Sequence, residues 1–305
     1  MRVILSIATI CCIVYSGCKS TPPPAPKPMP LTQVEQLLDT AINVSNSGNW
    51  VAAENTWAEV AKKYALLDMG DMQAIALHNQ SYAAFKQGRY QIAHALATEA
   101  ADINQEGAEW WKNQILLLQI EKIIQYSDYE QRLKSLIQKE EEVQLITKDI
   151  KSWGLLLNEQ GVFLLEGGET EAAILIFNKI QNQLLLAPDE RLDLTVKGNI
   201  ALCHEREGNY VLAHEEWNKI LQEAKVRCDE LQIARALQAK ARCLWQEGAK
   251  DESLTYYRKA VNNYRWLSMK EEALKALDSL RKCYIEMDNS VEAEKISNEI
   301  IELNN

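Results

Sequence analysis

The sequence predicts an all-α solenoid of about seven helix-turn-helix units, because a fixed period of this size marks a short unit that buries its apolar face against its neighbours. Gly48, Gly88, Gly168, Gly208 and Gly248 share one phase at a spacing of 40 residues, and Asp128 and Asp288 fill the two gaps. Five residues beyond those positions stand Ala53, Ala93, Leu133, Ala173, Ala213, Ser253 and Ala293, a column that is almost wholly small, as close packing requires. After Pro30 the chain holds one further proline, Pro188, so long helices can run unbroken between the turns.

Each unit reads helix, turn, helix. The window before a turn, such as 199–207 or 236–247, is free of proline and rich in helix formers, which gives the first helix. The turn residue closes that helix in a left-handed backbone, which glycine adopts without a Cβ penalty and Asp tolerates. Asp128 and Asp288 are expected to take that conformation. The second helix follows: Tyr210, Ala213, Trp217 and Ile220 lie two, five, nine and twelve residues past Gly208, and the last three share one helical face. Trp50, Ala53, Trp57 and Val60 repeat the pattern after Gly48, as do Tyr90, Ala93, Ala97 and Ala100 after Gly88. Pro188 followed by Asp189 marks a loop before a helix N-terminus.

The pattern G-x-[aromatic]-x-x-A-x-x-x-[aromatic]-x-x-[small or aliphatic] resembles the second half of a tetratricopeptide repeat, and the resemblance covers residues 33 to 303. It implies a right-handed superhelix whose first helices line a concave surface. The upstream half matches less closely, with Ile200, Ala201 and Leu280 in the Leu-Gly region and Lys197 where Trp is usual. Thr170, Lys250 and Ser290 replace the aromatic in three units without disturbing the phase. The unit is 40 residues long, against about 34 in that family, and the surplus is expected to lengthen the second helix and the connection to the next unit. Around Asp128 the chain aligns either with Tyr129 one residue early or in strict phase through Leu133 and Ile137; both keep two helices, and the regular stack is expected to bend there first. The acidic stretch 140–142 reads as a solvated helix face.

Ahead of the solenoid, Pro22, Pro23, Pro24, Pro26, Pro28 and Pro30 occupy nine residues and predict an extended polyproline-type spacer. An apolar run over 3–14 precedes it, too short for a membrane span of about 20 residues and suited to the core of a signal peptide. Tyr15-Ser16-Gly17-Cys18 resembles a bacterial lipobox, with Tyr15 where Leu is usual. That resemblance implies cleavage before Cys18 and lipid attachment at its sulfur. The expected organisation is a lipoprotein signal peptide over 1–17, a lipid-anchored Pro-rich linker over 18–32 and a tetratricopeptide-like solenoid over 33–305. The lipobox resemblance implies the bacterial cell envelope, and Lys19 after Cys18 is compatible with the outer membrane facing the periplasm under the sorting rule of some bacteria. Loss of 1–17 removes Arg2 alone among charged residues and takes the net charge from −10 to −11, which speaks against nucleic acid as a partner.

No reaction, cofactor or metal is expected. Cys203, Cys243 and Cys283 repeat at 40 residues, five before each turn, in the slot of Ala83, Ile123 and Phe163. Equivalent points on stacked helices lie at least about 8 Å apart, beyond the roughly 7 Å between Cα atoms that a disulfide allows, so these read as small core residues. Cys228 lies elsewhere in its unit, and its pairing stays open. His78, His94, His204 and His214 are too scattered for an acid-base pair or a metal set. Trp57 and Trp217 belong to the core column and Trp50 to the aromatic turn slot, whereas Trp110, Trp111 and Trp245 are expected to be exposed.

If the first helices line a groove, as the resemblance implies, the slots six and three residues before each turn face it. These are Tyr82 and Phe85, Lys122 and Gln125, Val162 and Leu165, Leu202 and Glu205, Arg242 and Trp245, and Lys282 and Ile285. The groove starts aromatic and gains Arg235, Arg242, Lys275 and Lys282 toward its far end. It is expected to take a protein or peptide partner with apolar anchors and an acidic portion, paired at Arg242 beside Trp245. The Lys-Asn carboxylate clamp of chaperone-binding relatives has no counterpart, its slots holding Gly198 with Leu202 and Gln238 with Arg242. The expected function is a membrane-tethered scaffold that assembles or recruits envelope proteins. The alternative is a glycan- or cell-wall-binding lipoprotein that stacks sugars on Trp110, Trp111 and Trp245.

Overall fold

The computed structural model describes residues 29–143 and 149–304; Cys18, the segment 1–17 and the linker up to residue 28 lie outside the described residues. Among the described residues there are fourteen helices and no strand. They are α1 (Met29–Asn46), α2 (Trp50–Leu66), α3 (Gly70–Lys86), α4 (Tyr90–Ile103), α5 (Gly107–Ile123), α6 (Tyr129–Val143), α7 (Ile150–Glu166), α8 (Thr170–Leu184), α9 (Glu190–Arg206), α10 (Tyr210–Val226), α11 (Glu230–Gln246), α12 (Lys250–Trp266), α13 (Lys270–Glu286) and α14 (Ser290–Asn304). They form seven hairpin pairs, each helix packed on the one before it and the one after it. α1 begins four residues ahead of residue 33, inside the stretch read as linker.

A regular unit has two helices of 17 residues, as in α9 with α10 and α11 with α12, joined and followed by three-residue turns. The surplus over a tetratricopeptide unit is therefore shared by both helices, and the connection stays short. Each turn within a regular unit is closed by one left-handed residue. Gly208 has φ 78°, and the Asn209 N–H donates to His204 O at 2.9 Å, the long backbone bond that seals a helix C-terminus. Asp288, at φ 55°, takes the same conformation as expected. A second series appears at the turns between units, where Asp68, Cys228 and Ser268 hold φ of 56°, 54° and 56°. Cys228 is thus an exposed free thiol at a turn. Pro188 falls in the same register but cannot take a positive φ. There the chain makes a longer loop, and Asp189 caps α9 by accepting from the Leu192 N–H at 3.0 Å.

The third unit departs from the phase, and Asp128 is not its turn residue. α4 is three residues short, α5 starts correspondingly early, and the left-handed residue is Gln125 at φ 54°, with the Tyr126 N–H donating to Glu121 O at 2.9 Å. Residues 127–128 are left as extra loop before α6. Every slot of α5 therefore moves three residues upstream. Ile120, not Ile123, takes the buried place of Ala83, and Ile123 is 46% exposed. Trp111 moves into the buried column of Ala74, Leu194 and Ala234 and is 5% exposed, contrary to the expectation for it. Strict phase holds for α6 at Leu133, which is buried, while Leu136 replaces Ile137 as the next core contact. Glu140, expected in water, is buried as well, and burial pushes its carboxyl pKa up.

The core follows the small column and its aromatic partners. Ala53, Ala93, Ala173, Ala213 and Ser253 are fully buried, and Ser253 Oγ satisfies itself by donating to Ala241 O at 2.7 Å. Trp57 and Trp217 lie nine residues past their turns and reach back twelve residues with the indole N–H, to Ser45 Oγ at 2.8 Å and to Glu205 Oε1 at 2.7 Å. Two first helices carry glycine where a second helix comes closest: a Cβ on Gly161 would sit 2.5 Å from Phe177, and one on Gly198 would sit 3.2 Å from Trp217. Cys203, Cys243 and Cys283 are buried free thiols, as their slot predicted. Polar pairs about one period apart tie neighbouring units, among them Asn199 Nδ2 to Asn158 Oδ1 at 2.8 Å and Arg258 to Glu299 at 2.7 Å.

Candidate functional site

An aromatic strip runs across the first two units, from the start of α2 over α3 to the start of α4. Trp50 meets Tyr82 edge to face at 5.8 Å, Tyr82 lies 6.3 Å from Phe85, and Phe85 lies 5.8 Å from Tyr90. Phe85 and Tyr82 are half-buried, so the strip keeps apolar surface available. Lys86 Nζ caps it, 5.7 Å from the Trp50 ring and 6.0 Å from Tyr82.

Charged groups distant in sequence lie within electrostatic reach of the second unit. Burial pushes the Lys86 pKa down, and the charges of Arg191 on α9 and Arg235 on α11 push it further, with Glu272 on α13 opposing. Burial raises the Tyr90 pKa, and Glu271 and Glu272 add to that. Charges of the fifth, sixth and seventh units thus act on side chains of the second. Lys86, Arg191, Arg235 and Lys275 have no ion-pair partner among the described residues, in a chain where acids outnumber bases 43 to 33. Of these, spacing singled out Arg235 and Lys275 but not Lys86 and Arg191, because which units come within electrostatic reach depends on the whole stack.

Other slots are engaged within the protein. Arg242 grips Glu205 through Nε at 2.9 Å and Nη2 at 3.1 Å, and Glu205 also receives the Trp217 indole. Trp245 donates to Glu286 at 2.9 Å and lies beneath Lys250 Nζ at 5.1 Å. Lys282 pairs with Asp278 at 2.8 Å. An acidic ligand would compete with Glu205 and Asp278 at these places, and would meet open cations at Lys86, Arg191 and Arg235. In the third unit the register slip gives the groove Gln119 and Lys122 in place of Lys122 and Gln125; Gln119 donates to Glu159 at 3.0 Å and Lys122 pairs with Glu166 at 2.9 Å.

The tryptophans proposed as sugar platforms are not free planes. Trp111 is buried, Trp110 is packed edge to face on it at 4.9 Å, and Lys139 Nζ covers the Trp110 ring at 3.8 Å. The exposed tryptophan is Trp266, 81% accessible, at the end of α12. It continues an edge series one period apart with Leu186 and Val226, both as open. Three histidines meet separate carboxylates, His94 with Glu121, His204 with Glu207 and His214 with Glu247, and His78 meets the Asn113 amide. Among the described residues no group of three or more His, Cys, Asp or Glu is arranged to hold a metal, and no helix is long and apolar enough to cross a membrane.

Comparison with solved structures now bears on the fold. The chain superposes on the apo form of the quorum sensor NprR from B. thuringiensis with TM-score 0.68 at 14% identity, covering 90% of this chain and 77% of that one. The fold is a tetratricopeptide-like solenoid. A Rap protein complexed with competence and sporulation factor matches with TM-score 0.66 at 15% identity over 89% of this chain and 76% of its own. A signal-transduction ATPase with a tetratricopeptide repeat sensor, from Pyrococcus horikoshii, matches with TM-score 0.57 at 16% identity over 90% of this chain and 45% of its own. No protein-family model and no curated protein matches the sequence.

Proposed function

We propose that the chain is an interaction scaffold that takes a polypeptide segment in its concave groove, apolar side chains against the strip from Trp50 to Tyr90 and an acidic group against Lys86, Arg191 and Arg235. The observation that carries this reading is the placing of those three cations, from units far apart in sequence, within electrostatic reach of one another beside a run of three ring contacts that Lys86 caps. Aromatic anchors supply desolvated contact area and the cations fix the direction of the segment. The Rap protein of similar fold is described in complex with competence and sporulation factor, which supports a bound partner for this architecture. The scaffold is tethered in the bacterial envelope through lipid on Cys18, at the outer membrane facing the periplasm, and recruits or assembles envelope proteins there. Two or more acyl chains suffice for stable anchoring where one does not.

Crosslinking and recovery from native membranes, with the intact chain and with Cys18→Ala, tests both parts. A polypeptide partner is expected with the intact chain, and the variant is expected in the soluble fraction. Recovery of polysaccharide alone would refute the scaffold. For the groove, Lys86→Glu with Arg235→Glu is expected to weaken the partner by at least about tenfold, the loss of one good charged contact. Unchanged affinity would remove the acidic group from the reading.

A further inference from the structure

The slip in the third unit opens a cavity of about 360 Å³ between the α5–α6 turn and the end of α7, walled by Glu121, Lys122, Tyr126, Tyr129, Phe163 and Glu166. Glu121 is fully buried. Its Oε1 is held twice, by Arg132 Nε at 3.1 Å and His94 Nε2 at 3.2 Å. Its Oε2 has no hydrogen-bond partner, and neither does the Tyr129 hydroxyl; both atoms are shielded from solvent. A buried carboxylate oxygen left unpaired is costly and rare, so two orphans on residues that line one cavity point to a group that completes them.

The surroundings define the chemistry of that group. Burial raises the Tyr129 pKa, and so do Glu159, Glu166 and Glu121, so the charges felt at the hydroxyl are negative. Lys122 is already neutralised at the rim by Glu166, at 2.9 Å. Phe163 lies 6.1 Å from the Tyr129 ring, and Tyr126, exposed at the mouth, lies 5.6 Å from His94. Aromatic walls suit an alkyl stem and favour a cation over their faces. Glu121 offers one free oxygen, not two, which fits a point donor better than the two-pronged guanidinium.

We propose that this cavity binds a primary alkylammonium group, with Glu121 Oε2 and Tyr129 Oη accepting its N–H bonds and Tyr126, Tyr129 and Phe163 enclosing its methylene stem. The group belongs either to a lysine of a partner polypeptide or to a free aliphatic diamine. This inference does not rest on the groove reading; the one groove slot it touches, Lys122, is already paired with Glu166.

The test is calorimetric titration of the full chain with cadaverine, with Nα-acetyl-lysine amide and with 1-pentanol as the neutral counterpart. Saturable binding of one amine per chain is expected, with pentanol at least about tenfold weaker. Tighter binding of acetyl-lysine amide identifies a polypeptide source, and tighter binding of cadaverine a free amine. Glu121→Gln is expected to weaken the amine at least about tenfold. Because that variant also disturbs His94 and Arg132, Tyr129→Phe serves beside it: it removes an orphan hydroxyl, so the melting temperature should hold or rise while amine affinity falls several-fold. No saturable binding of either amine, pentanol bound as tightly, or unchanged affinity in the folded variants would overturn the proposal, and the cavity would hold water only.

Discussion

Gly161→Ala should destabilise the solenoid although it places a better helix former in mid-helix. The added Cβ would sit 2.5, 2.7 and 3.0 Å from Cε1, Cζ and Cδ1 of Phe177, a ring with no exposed surface. Carbon atoms rest at about 3.5–4.0 Å, so the ring or the helix must give by roughly 1 Å. Overpacking of that kind costs about 1–3 kcal/mol. Gly to Ala returns about 0.5–1 kcal/mol through backbone entropy and propensity. The balance is a loss of up to about 2.5 kcal/mol, about 1 at mid-range, or a mid-range melting temperature lower by about 2–4 °C for a chain of this size. Urea unfolding followed by far-ultraviolet circular dichroism measures it, in a cycle with Phe177→Leu. The double variant should be better than the sum of the singles by at least about 0.5 kcal/mol, since the smaller side chain accepts the methyl. Gly70→Ala is the control, because its Cβ would meet Ile103 at an ordinary 3.5 Å; it should be neutral or stabilising. Gly161→Ala at or above wild-type stability, or strict additivity with Phe177→Leu, would refute the close-approach argument.

Three further expectations follow from the same geometry. Gly208→Ala, at φ 78°, should cost about 1–2 kcal/mol in the same unfolding assay, whereas Asp288→Gly, relieving a Cβ at φ 55°, should not destabilise its turn. Of the four cysteines in the helical region, only exposed Cys228 should react with a thiol reagent in the native state, as peptide mapping would report. Burial lifts Cys203 to about 11, Cys243 to about 12 and Cys283 to about 11, which keeps them as thiols until unfolding. Burial also holds the His78 pKa below its ordinary 6.5, its ring nitrogen 2.7 Å from Asn113 Oδ1. Below about pH 6.5 the unfolded chain then binds more protons than the folded one, so the His78 contribution to stability falls as pH falls. His78→Gln should flatten that part of the stability profile, and an unchanged slope would contradict the assignment.

The repeat was legible because a left-handed turn and a close-packed column each demand particular residues at a fixed spacing. Gly208 and Asp288 at the turns, Ala213 and Trp217 in the column, and the cysteines in their slot all obeyed that demand. Asp128 did not, since the slip arises from three residues missing in α4, and the turn fell on Gln125, which carries no turn signature. One signal was present: Gly107, at φ 81°, starts α5 one residue ahead of the between-unit series of Asp68, Cys228 and Ser268. The groove was partly legible. Slots on one helix follow from spacing, and Tyr82 and Phe85, three residues apart on α3, share a run of aromatic contacts. Contacts between units do not, which is why the Arg242 grip on Glu205 and the approach of Lys86 to Arg191 and Arg235 emerged only with the assembled superhelix.

The central claim, that the concave aromatic strip holds a polypeptide, is tested most directly by photocrosslinking from benzoylphenylalanine placed at Phe85 in cells that make the full chain. The same probe at Val211, exposed on the second helix α10, serves as the reference. A polypeptide adduct from Phe85, absent from Val211 and diminished by Arg235→Glu, is the predicted result. No polypeptide adduct from Phe85, or equal adducts from both positions, would contradict it.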